Sequence, residues 1–241
     1  MVAVCVSRQG VLTSRLPFHL STVFALAQLF LLVISRYTGL MFPKPGVFNF
    51  IGRSGCGKGT QVSLLMDFLK AKDPKRDIVY LQTGKQFREF IVGDTYTQKV
   101  SKELYERGGL FPEFLAINMW SNFFVKNMKP DAHVMIDGSP RKIGEAEIFD
   151  SAAKFYGWEK PHILFVNVSR EWATERLLSR GRAQDDKAES IKSRQDWYDT
   201  DVSKVVEFYK NSSICEFHEI NGEQSIEDVH KEIVQKTGFL K

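Results

Sequence analysis

The glycine-rich stretch GRSGCGKGT at residues 52–60 constrains the fold of this chain more than any other feature. It follows the apolar run VFNFI and precedes a segment with helical apolar spacing, the context that a phosphate-binding loop requires. In such a loop, glycines let backbone N–H groups turn inward around phosphate oxygens, and the helix N-terminus adds a favourable dipole. Thr60 stands where a dinucleotide-binding loop has Gly or Ala, which disfavours that alternative.

We therefore predict that this loop binds a nucleoside triphosphate. Lys58 is expected to reach the β- and γ-phosphates, because its side chain leaves the loop where the helix begins. The residues predicted to contact the triphosphate here are Gly52, Gly55, Cys56, Gly57, Lys58, Gly59 and Thr60.

Short apolar runs alternate with helical patterns along the rest of the chain. The predicted strands are 47–51, 78–81, 134–136, 163–168 and 215–220, and the predicted helices are 58–70, 84–92, 95–108, 112–128, 143–156, 170–180, 187–209 and 225–237. This alternation predicts a three-layer α/β fold, with a five-stranded parallel sheet covered by helices on both faces. The stretch 84–130 is too long for one crossover helix. We expect a helical insertion there, over the carboxyl edge of the sheet where ligands bind.

The first forty residues are a separate problem, because residues 20–34 are almost wholly apolar. A helix of that length spans roughly 22 Å, short of the roughly 30 Å hydrocarbon core of a membrane. Three interpretations stay open: upstream sequence before a true start at Met41 or a disordered extension, a short membrane-binding or partner-binding helix, and a signal peptide without a clear cleavage site. We place the boundary of this extension at 1–45 and the main domain at 46–241.

The charge balance gives no reason to expect a nucleic-acid partner. The net charge is +4, but residues 1–40 contribute three arginines and no acid. The other 201 residues hold 30 basic and 29 acidic side chains, so no strongly basic domain remains. Membrane contact is expected only through residues 20–34.

Cysteines and histidines are few and scattered along the sequence. An odd number of cysteines without CxxC spacing argues against a disulfide framework or a thiolate metal site. The residues concerned are Cys5, Cys56, Cys215, His19, His133, His162, His218 and His230. We expect no histidine ligand cluster and a reduced, cytoplasmic protein.

The aromatic segment FPEFLAINMWSNFF at residues 111–124 could stack on nucleobases or pack in the core. Leu115, Met119 and Phe123 recur at four-residue intervals, which is helical core spacing. We predict that this segment is core.

The last residues of the phosphate loop indicate which class of nucleotide-binding proteins this chain resembles. Lys58 is followed by Gly59 and only then by Thr60, and GRSGCGKGTQ as a whole resembles the GxPGxGKGTQ loop of the adenylate kinases and related nucleoside monophosphate kinases. Later segments resemble that family in the same order over about residues 47–237. They are TGKQFR at 83–88 with Thr83, Gly84 and Arg88; GLFP at 109–112; DGSPR at 137–141 with Asp137, Gly138 and Arg141; and Arg176, Arg180, Arg182, Asp185, Asp186 and Arg194 around a lid.

The resemblance implies phosphoryl transfer from ATP to a nucleoside monophosphate, with AMP expected first, as a step of nucleotide biosynthesis. By resemblance, Lys58, Arg141, Arg180, Arg182 and Arg194 are the catalytic cations that offset phosphate charge. Arg88 and Arg141 grip the acceptor phosphate, Arg176 lies against the donor base, and Asp137 holds Mg²⁺ through water. The acceptor insertion covers about 84–115 and the lid about 180–186, too short for the zinc-bearing lid of some relatives. We expect a monomer.

Three positions depart from the family pattern, and all lie near the expected acceptor. Glu145 replaces the glutamine that bonds adenine in AMP, Lys85 replaces an aspartate, and Ser139 replaces an aromatic residue. An ionised glutamate accepts hydrogen bonds but donates none. Kinases for GMP, CMP or UMP, a small-metabolite kinase, and a nucleotide-binding regulator without turnover therefore remain alternatives. Arg53 and Arg107 are expected to be ordinary solvated side chains.

Overall fold

A computed structural model of the chain describes residues 44–181 and 187–238. The predicted extension up to residue 43, including the apolar segment 20–34, lies outside the described residues, as do Arg182, Asp185 and Asp186 of the predicted lid. No helix within the described ranges is long and apolar enough to cross a membrane.

Strands and helices alternate along the described chain. The strands are β1 (Val47–Ile51), β2 (Ile78–Gln82), β3 (His133–Asp137), β4 (His162–Asn167) and β5 (Glu216–Asn221). The helices are α1 (Lys58–Lys72), α2 (Thr83–Phe90), α3 (Tyr96–Glu106), α4 (Glu113–Asn127), α5 (Ile143–Phe155), α6 (Arg170–Arg180), α7 (Ala188–Trp197), α8 (Ser203–Lys210) and α9 (Ile226–Lys236), with a π-helical segment (Tyr198–Val202) between α7 and α8.

Within the described residues, the five strands form one parallel sheet in the order β2-β3-β1-β4-β5. The central strand β1 is buried along its whole length, which explains why it is apolar apart from Asn49. Because all strands run the same way, the ends of β1, β2 and β3 meet at one edge of the sheet. Ile51, Gln82 and Asp137 are the last residues of these strands, so the phosphate loop and Asp137 are brought to the same edge.

Helices cover both faces of the sheet. On one face α1 packs through Leu65 and Leu69, and α9 packs beside it and against β5. On the other face α4, α5 and α8 surround a core that includes Trp120, Phe149 and Tyr209. Each large apolar side chain buried in this way contributes about 1.5–3 kcal/mol to the free energy of unfolding. The predicted fold class is confirmed.

Side-chain caps explain where several helices begin. Thr95 and Gln98 form a reciprocal capping box at the start of α3, and the hydroxyls of Ser169 and Ser225 accept from backbone N–H groups at the starts of α6 and α9. Gly181, with a φ of 64°, ends α6 in the left-handed conformation.

The prediction of one continuous helix over 187–209 is wrong in the middle of that range. The hydroxyls of Thr200 and Ser203 donate to the carbonyls of Asp196 and Asp199 at 3.2 and 2.7 Å, a back-bonding pattern that bends helices. The chain there widens into the π-helical segment. This widening presents Asp199 to arginines from two other segments, as described below.

The aromatic segment belongs to the core, as predicted, but its buried face is turned from the predicted one. Leu115, Trp120 and Phe124 are buried, whereas Met119 and Phe123 are half-buried at its flank. Helical spacing alone fits both faces, and contact with the sheet selects the one that carries Trp120.

Two of the histidines that are scattered along the sequence lie beside each other and beside a carboxylate in the structure. Pairing of β4 with β5 places His162 opposite Glu216, and His218 lies two residues further along β5 on the same face. Residues far apart in sequence thus meet because of strand register, which scattered spacing along the chain does not reveal.

Candidate active site

The loop after β1 has the backbone shape of a phosphate cradle. Gly55 and Gly57 both have φ of 95°, in the left-handed region that favours glycine, and Gly57 caps the N-terminus of α1. A Cβ on Gly55 would also stand only 2.5 Å from the backbone oxygen of Ala173. The glycine at 55 therefore allows α6 to approach the loop closely.

Lys58 lies across this loop. Its Nζ donates to the carbonyls of Gly52 and Arg53 at 2.8 and 2.9 Å, so the ammonium group sits at the rim of the cradle. The thiol of Cys56 is buried, 3.5 Å from Lys58 Nζ, and the Cys56 backbone N–H donates to the Arg53 carbonyl. Cys56 is accordingly the member of the predicted loop set that does not line the cavity described next.

A cavity of about 990 Å³ opens at the carboxyl edge of the sheet, beside the phosphate loop. Apart from Arg182, which the structure does not describe, every predicted cationic residue borders it. These residues are Lys58, Arg88, Arg141, Arg176, Arg180 and Arg194. Side chains from α1, α2, α6, α7 and the end of β3 therefore converge, although they are spread over more than half of the sequence.

Arg141 is half-buried in the wall of this cavity. Its Nε donates to the Gly138 carbonyl at 2.7 Å, and its guanidinium lies 5.2 Å from the centre of the Trp197 ring. Burial lowers the pKa of Arg141, and Arg194 adds to this, while the nearby carboxyls of Glu145 and Asp137 act in the opposite direction. Two arginines that repel each other across one cavity are well placed to bind a multiply charged anion.

Asp137 ends β3 and borders the cavity together with Thr60. Burial and the hydrogen bond to the Asp137 carboxylate raise the pKa of Tyr80, so the Tyr80 hydroxyl acts as a donor that orients Asp137. A Cβ on Gly59 would lie 3.8 Å from Asp137 Oδ2, so the carboxylate stands beside the first turn of α1. A carboxylate and a hydroxyl beside a phosphate cradle are hard oxygen donors, and they fit Mg²⁺.

The predicted acceptor residues divide into two groups. Gly84, Arg88, Gly138 and Arg141 border the cavity. Thr83 lies beneath its floor, where its buried hydroxyl hydrogen-bonds the Ser139 hydroxyl at 3.1 Å. Ser139, at the position where the family pattern has an aromatic residue, is therefore a support for the floor.

Glu145 also lies below the cavity. Its side chain is 1% exposed, sits among Leu81, Trp120, Phe149 and Pro140, and leaves Oε2 without a hydrogen-bond partner. Burial raises the pKa of Glu145 to about 7, although the neighbouring Arg141 opposes the rise. Near neutral pH a large fraction of this carboxyl is therefore protonated and can donate a hydrogen bond.

The segment predicted to bind the acceptor is hydrogen-bonded to α7. Gly108, just after α3, accepts from Trp197 Nε1 and from the Ser193 hydroxyl, both at 3.1 Å. Its φ is 69°, and a Cβ there would stand 2.7 Å from the Ser190 carbonyl oxygen. This glycine allows the end of the insertion to pack directly on the helix that carries Arg194.

Arg53 was expected to be an ordinary solvated arginine, and this expectation is wrong. Its guanidinium contacts Asp199 at 2.5 Å and lies 4.1 Å from the centre of the Tyr198 ring. Asp199 also binds Arg170, at the start of α6, at 2.7 Å. Through Asp199, the phosphate loop is thus joined to the π-helical segment and to α6, by contacts that sequence spacing does not reveal. Tyr80 and Trp197 were missed for the same reason.

Comparison with known proteins agrees with this geometry. The family model described as "Adenylate kinase" matches residues 50–214. An adenylate kinase of Prochlorococcus marinus is 32% identical over 184 residues, covering 76% of this chain and 94% of the relative. An adenylate kinase of Corynebacterium diphtheriae is 31% identical over 182 residues, 75% of this chain and 92% of the relative. Adenylate kinase isoenzyme 1 of Sus scrofa is 27% identical over 201 residues, with 82% and 97% covered.

Proposed function

This chain belongs to the adenylate kinase family, and we propose that it transfers the terminal phosphoryl group of ATP to AMP, giving two molecules of ADP. The carrying observation is the cavity at the carboxyl edge of the sheet, bordered by six cationic side chains and by the phosphate loop. Among the acceptors considered from sequence, the family relationship favours AMP over GMP, CMP and UMP. It likewise favours an enzyme over a regulator without turnover.

The reaction asks for positioning and charge neutralisation more than for covalent chemistry. An oxygen of the AMP phosphate attacks the γ-phosphorus of ATP, and the bond from that phosphorus to the β,γ-bridging oxygen breaks. The attacking oxygen is already ionised at neutral pH, so no general base is needed. The roles below follow from this requirement.

On the donor side, we assign the loop backbone and Lys58 to the β- and γ-phosphates. Arg180 and Arg194, together with Arg182, offset the charge on the transferred group, and Arg176 lies against the donor base. Arg176 is stacked on Trp172, 4.6 Å from the ring centre, which gives its guanidinium a fixed plane. Cys56 serves the loop as a buried packing group.

On the acceptor side, we assign the phosphate of AMP to Arg88 and Arg141, whose planar guanidinium groups suit bidentate contact. Glu145 lies below the cavity in the free protein, and we propose that its protonated side chain turns toward the adenine when AMP binds. A neutral carboxyl offers one O–H donor and one carbonyl acceptor, the same pair that the glutamine amide of the family pattern offers. The raised pKa of Glu145, about 7, therefore removes the conflict between a glutamate at this position and AMP as acceptor.

We assign Mg²⁺ to Asp137, acting through water, with the Thr60 hydroxyl beside it. Held there, the ion would neutralise part of the phosphate charge. Tyr80 keeps the Asp137 carboxylate oriented toward this position. We further propose that the protein is a monomer without a nucleic-acid partner. We place it in the cytoplasm, where both ATP and AMP are present.

The decisive experiment is a coupled ADP-release assay with ATP and Mg²⁺ against AMP, GMP, CMP, UMP and dTMP in parallel. The proposal expects a kcat/KM for AMP that exceeds the others by at least about tenfold, an energetic difference of about 1.4 kcal/mol. Higher efficiency with another monophosphate would reject AMP as the acceptor, and silence with all five would favour the regulator. The Lys58→Met variant, purified in the same way, is the control for a contaminating kinase, and omission of Mg²⁺ tests the need for the metal.

A further inference from the structure

A second group of chemistry-bearing side chains lies at the opposite edge of the sheet. His162 is the first residue of β4, and Glu216 is the first residue of β5, directly opposite it in the register. His218 follows two residues later on the same face of β5. These are the amino ends of the strands, whereas the candidate active site lies at their carboxyl ends.

Potential ligand atoms of these residues converge on one point. His162 Nδ1 and His218 Nε2 are 3.0 Å apart, and Glu216 Oε2 lies 3.5 Å from the first and 3.9 Å from the second. Two ligand atoms bound at tetrahedral angles to one Zn²⁺, with bonds of roughly 2.0–2.2 Å, are separated by roughly 3.3–3.6 Å. The three observed separations bracket this value, so small side-chain adjustments would place all three atoms around one ion.

The surroundings hold the His162 ring in one orientation and shelter the group from solvent. The His162 ring stacks on Phe48, with ring centres 5.3 Å apart and planes 9° from parallel, which fixes its orientation. The side chains of His162 and His218 are 17% and 14% exposed, and that of Glu216 is 44% exposed, so the site is sheltered but open on one side.

We propose that His162, Glu216 and His218 form a binding site for one divalent transition-metal ion of the Zn²⁺ type, with a fourth position open to water. Two imidazoles and one carboxylate suit Zn²⁺, Co²⁺ or Ni²⁺, whereas Mg²⁺ prefers oxygen ligands only. The ion would link β5, an edge strand of the sheet, to its neighbour β4. The site is separate from the magnesium position proposed at Asp137.

The competing explanation is a hydrogen bond between two neutral imidazoles, which also accounts for the 3.0 Å distance. Under that explanation added metal has no specific place to bind. The two accounts therefore differ in metal stoichiometry and in the response to single substitutions.

The experiment uses the full chain, treated with chelator and dialysed into a buffer free of phosphate and nucleotide. Zn²⁺ is titrated calorimetrically, and Co²⁺ is titrated while its visible d–d absorption is recorded. The proposal expects one equivalent bound and the intense band of tetrahedral Co²⁺. It also expects a rise in Tm of about 5–10 °C at a hundredfold excess over Kd.

Substitutions locate the ion. His218→Gln should abolish the Co²⁺ band and the rise in Tm, and His230→Gln, on α9, is the matched control that should leave both unchanged. Kinase activity with ATP and AMP, measured with Mg²⁺, reports whether each variant is folded. If His218→Gln fails this check, the exposed change Glu216→Gln decides, since it should weaken Zn²⁺ binding at least tenfold. Absence of binding in the unmodified chain, or binding that survives the deciding substitution, would overturn the proposal.

Discussion

Replacing Glu145 with glutamine should make the protein more stable at pH 8, although the change removes only one ionisable proton. The Glu145 carboxyl is 1% exposed, and its Oε2 has no hydrogen-bond partner. Ionisation in that place is unfavourable, which is why burial raises its pKa from 4.5 to about 7. Glutamine has the same shape as the protonated acid and stays neutral at every pH.

The magnitude follows from proton linkage. Between pH 4.5 and about 7 the unfolded chain has lost the Glu145 proton while the folded protein keeps it, so the free energy of unfolding falls as pH rises through this window. The difference in pKa corresponds to a total fall of about 3 kcal/mol, complete above about pH 7. Below pH 4.5 both states are protonated, and the group contributes no pH dependence.

The assay is urea unfolding of the unmodified chain and of Glu145→Gln at pH 5, 6, 7 and 8 in parallel. Only the difference between the two proteins is interpreted, because other titrating groups then cancel. This difference should grow by about 2–3 kcal/mol from pH 5 to pH 8. Glu147→Gln, an exposed change on the same helix, should give a flat difference.

A flat difference for Glu145→Gln would refute the reasoning. It would mean that Glu145 is ionised in the folded protein and balanced by the Arg141 guanidinium. The adenine contact that we assign to a protonated Glu145 would then be lost as well. The same variant therefore tests stability and acceptor recognition through one chemical property.

Four further substitutions test the site and the contacts around it. Lys58→Met and Arg141→Ala should each lower kcat/KM in the ADP-release assay by about two orders of magnitude or more. The control Arg107→Ala, which changes an exposed arginine, should have near-normal activity. Near-normal turnover in either site variant would reject these assignments. Gly55→Ala should destabilise the protein by about 1–3 kcal/mol in urea unfolding and weaken ATP binding. The added Cβ strains a left-handed backbone and meets the backbone oxygen of Ala173. Unchanged stability would contradict the close approach of α6 to the phosphate loop. Arg53→Ala should lower the free energy of unfolding by about 1–2 kcal/mol in urea unfolding, whereas Arg107→Ala should leave it almost unchanged. Equal effects of the two changes would show that the contacts of Arg53 do not stabilise the protein.

Local sequence patterns predict the elements of this fold well, because local physics decides them. A buried apolar run, glycines that accept positive φ, and an apolar helical face define β1, the phosphate loop and α1 without reference to the rest of the chain. The position of Asp137 is predictable for a related reason. A polar residue at the end of a buried parallel strand lies at the carboxyl edge wherever that strand stands in the sheet.

Contacts set by tertiary register are not predictable in this way. His162 and His218 are separated by 56 positions and meet only because β4 pairs with β5 in one register. Arg53 binds Asp199 because the π-helical segment turns that carboxylate toward the loop. The burial of Glu145 depends on α5 lying on the sheet. Each of these requires the relative position of two elements, which no spacing along the chain encodes.

The gathering of cations at the candidate active site has a consequence for the folded state itself. Asp137 is the one acidic residue among the described residues that border the cavity, whereas six cations border it, so like charges face one another there. Any polyanion that enters relieves this repulsion and so acts as a folding ligand. A ligand at a hundred times its Kd adds about 2.7 kcal/mol to the free energy of unfolding. The folded fraction in a cell would then follow the adenylate pool, and melting temperatures taken in phosphate or sulfate buffer would overstate the stability of the free enzyme.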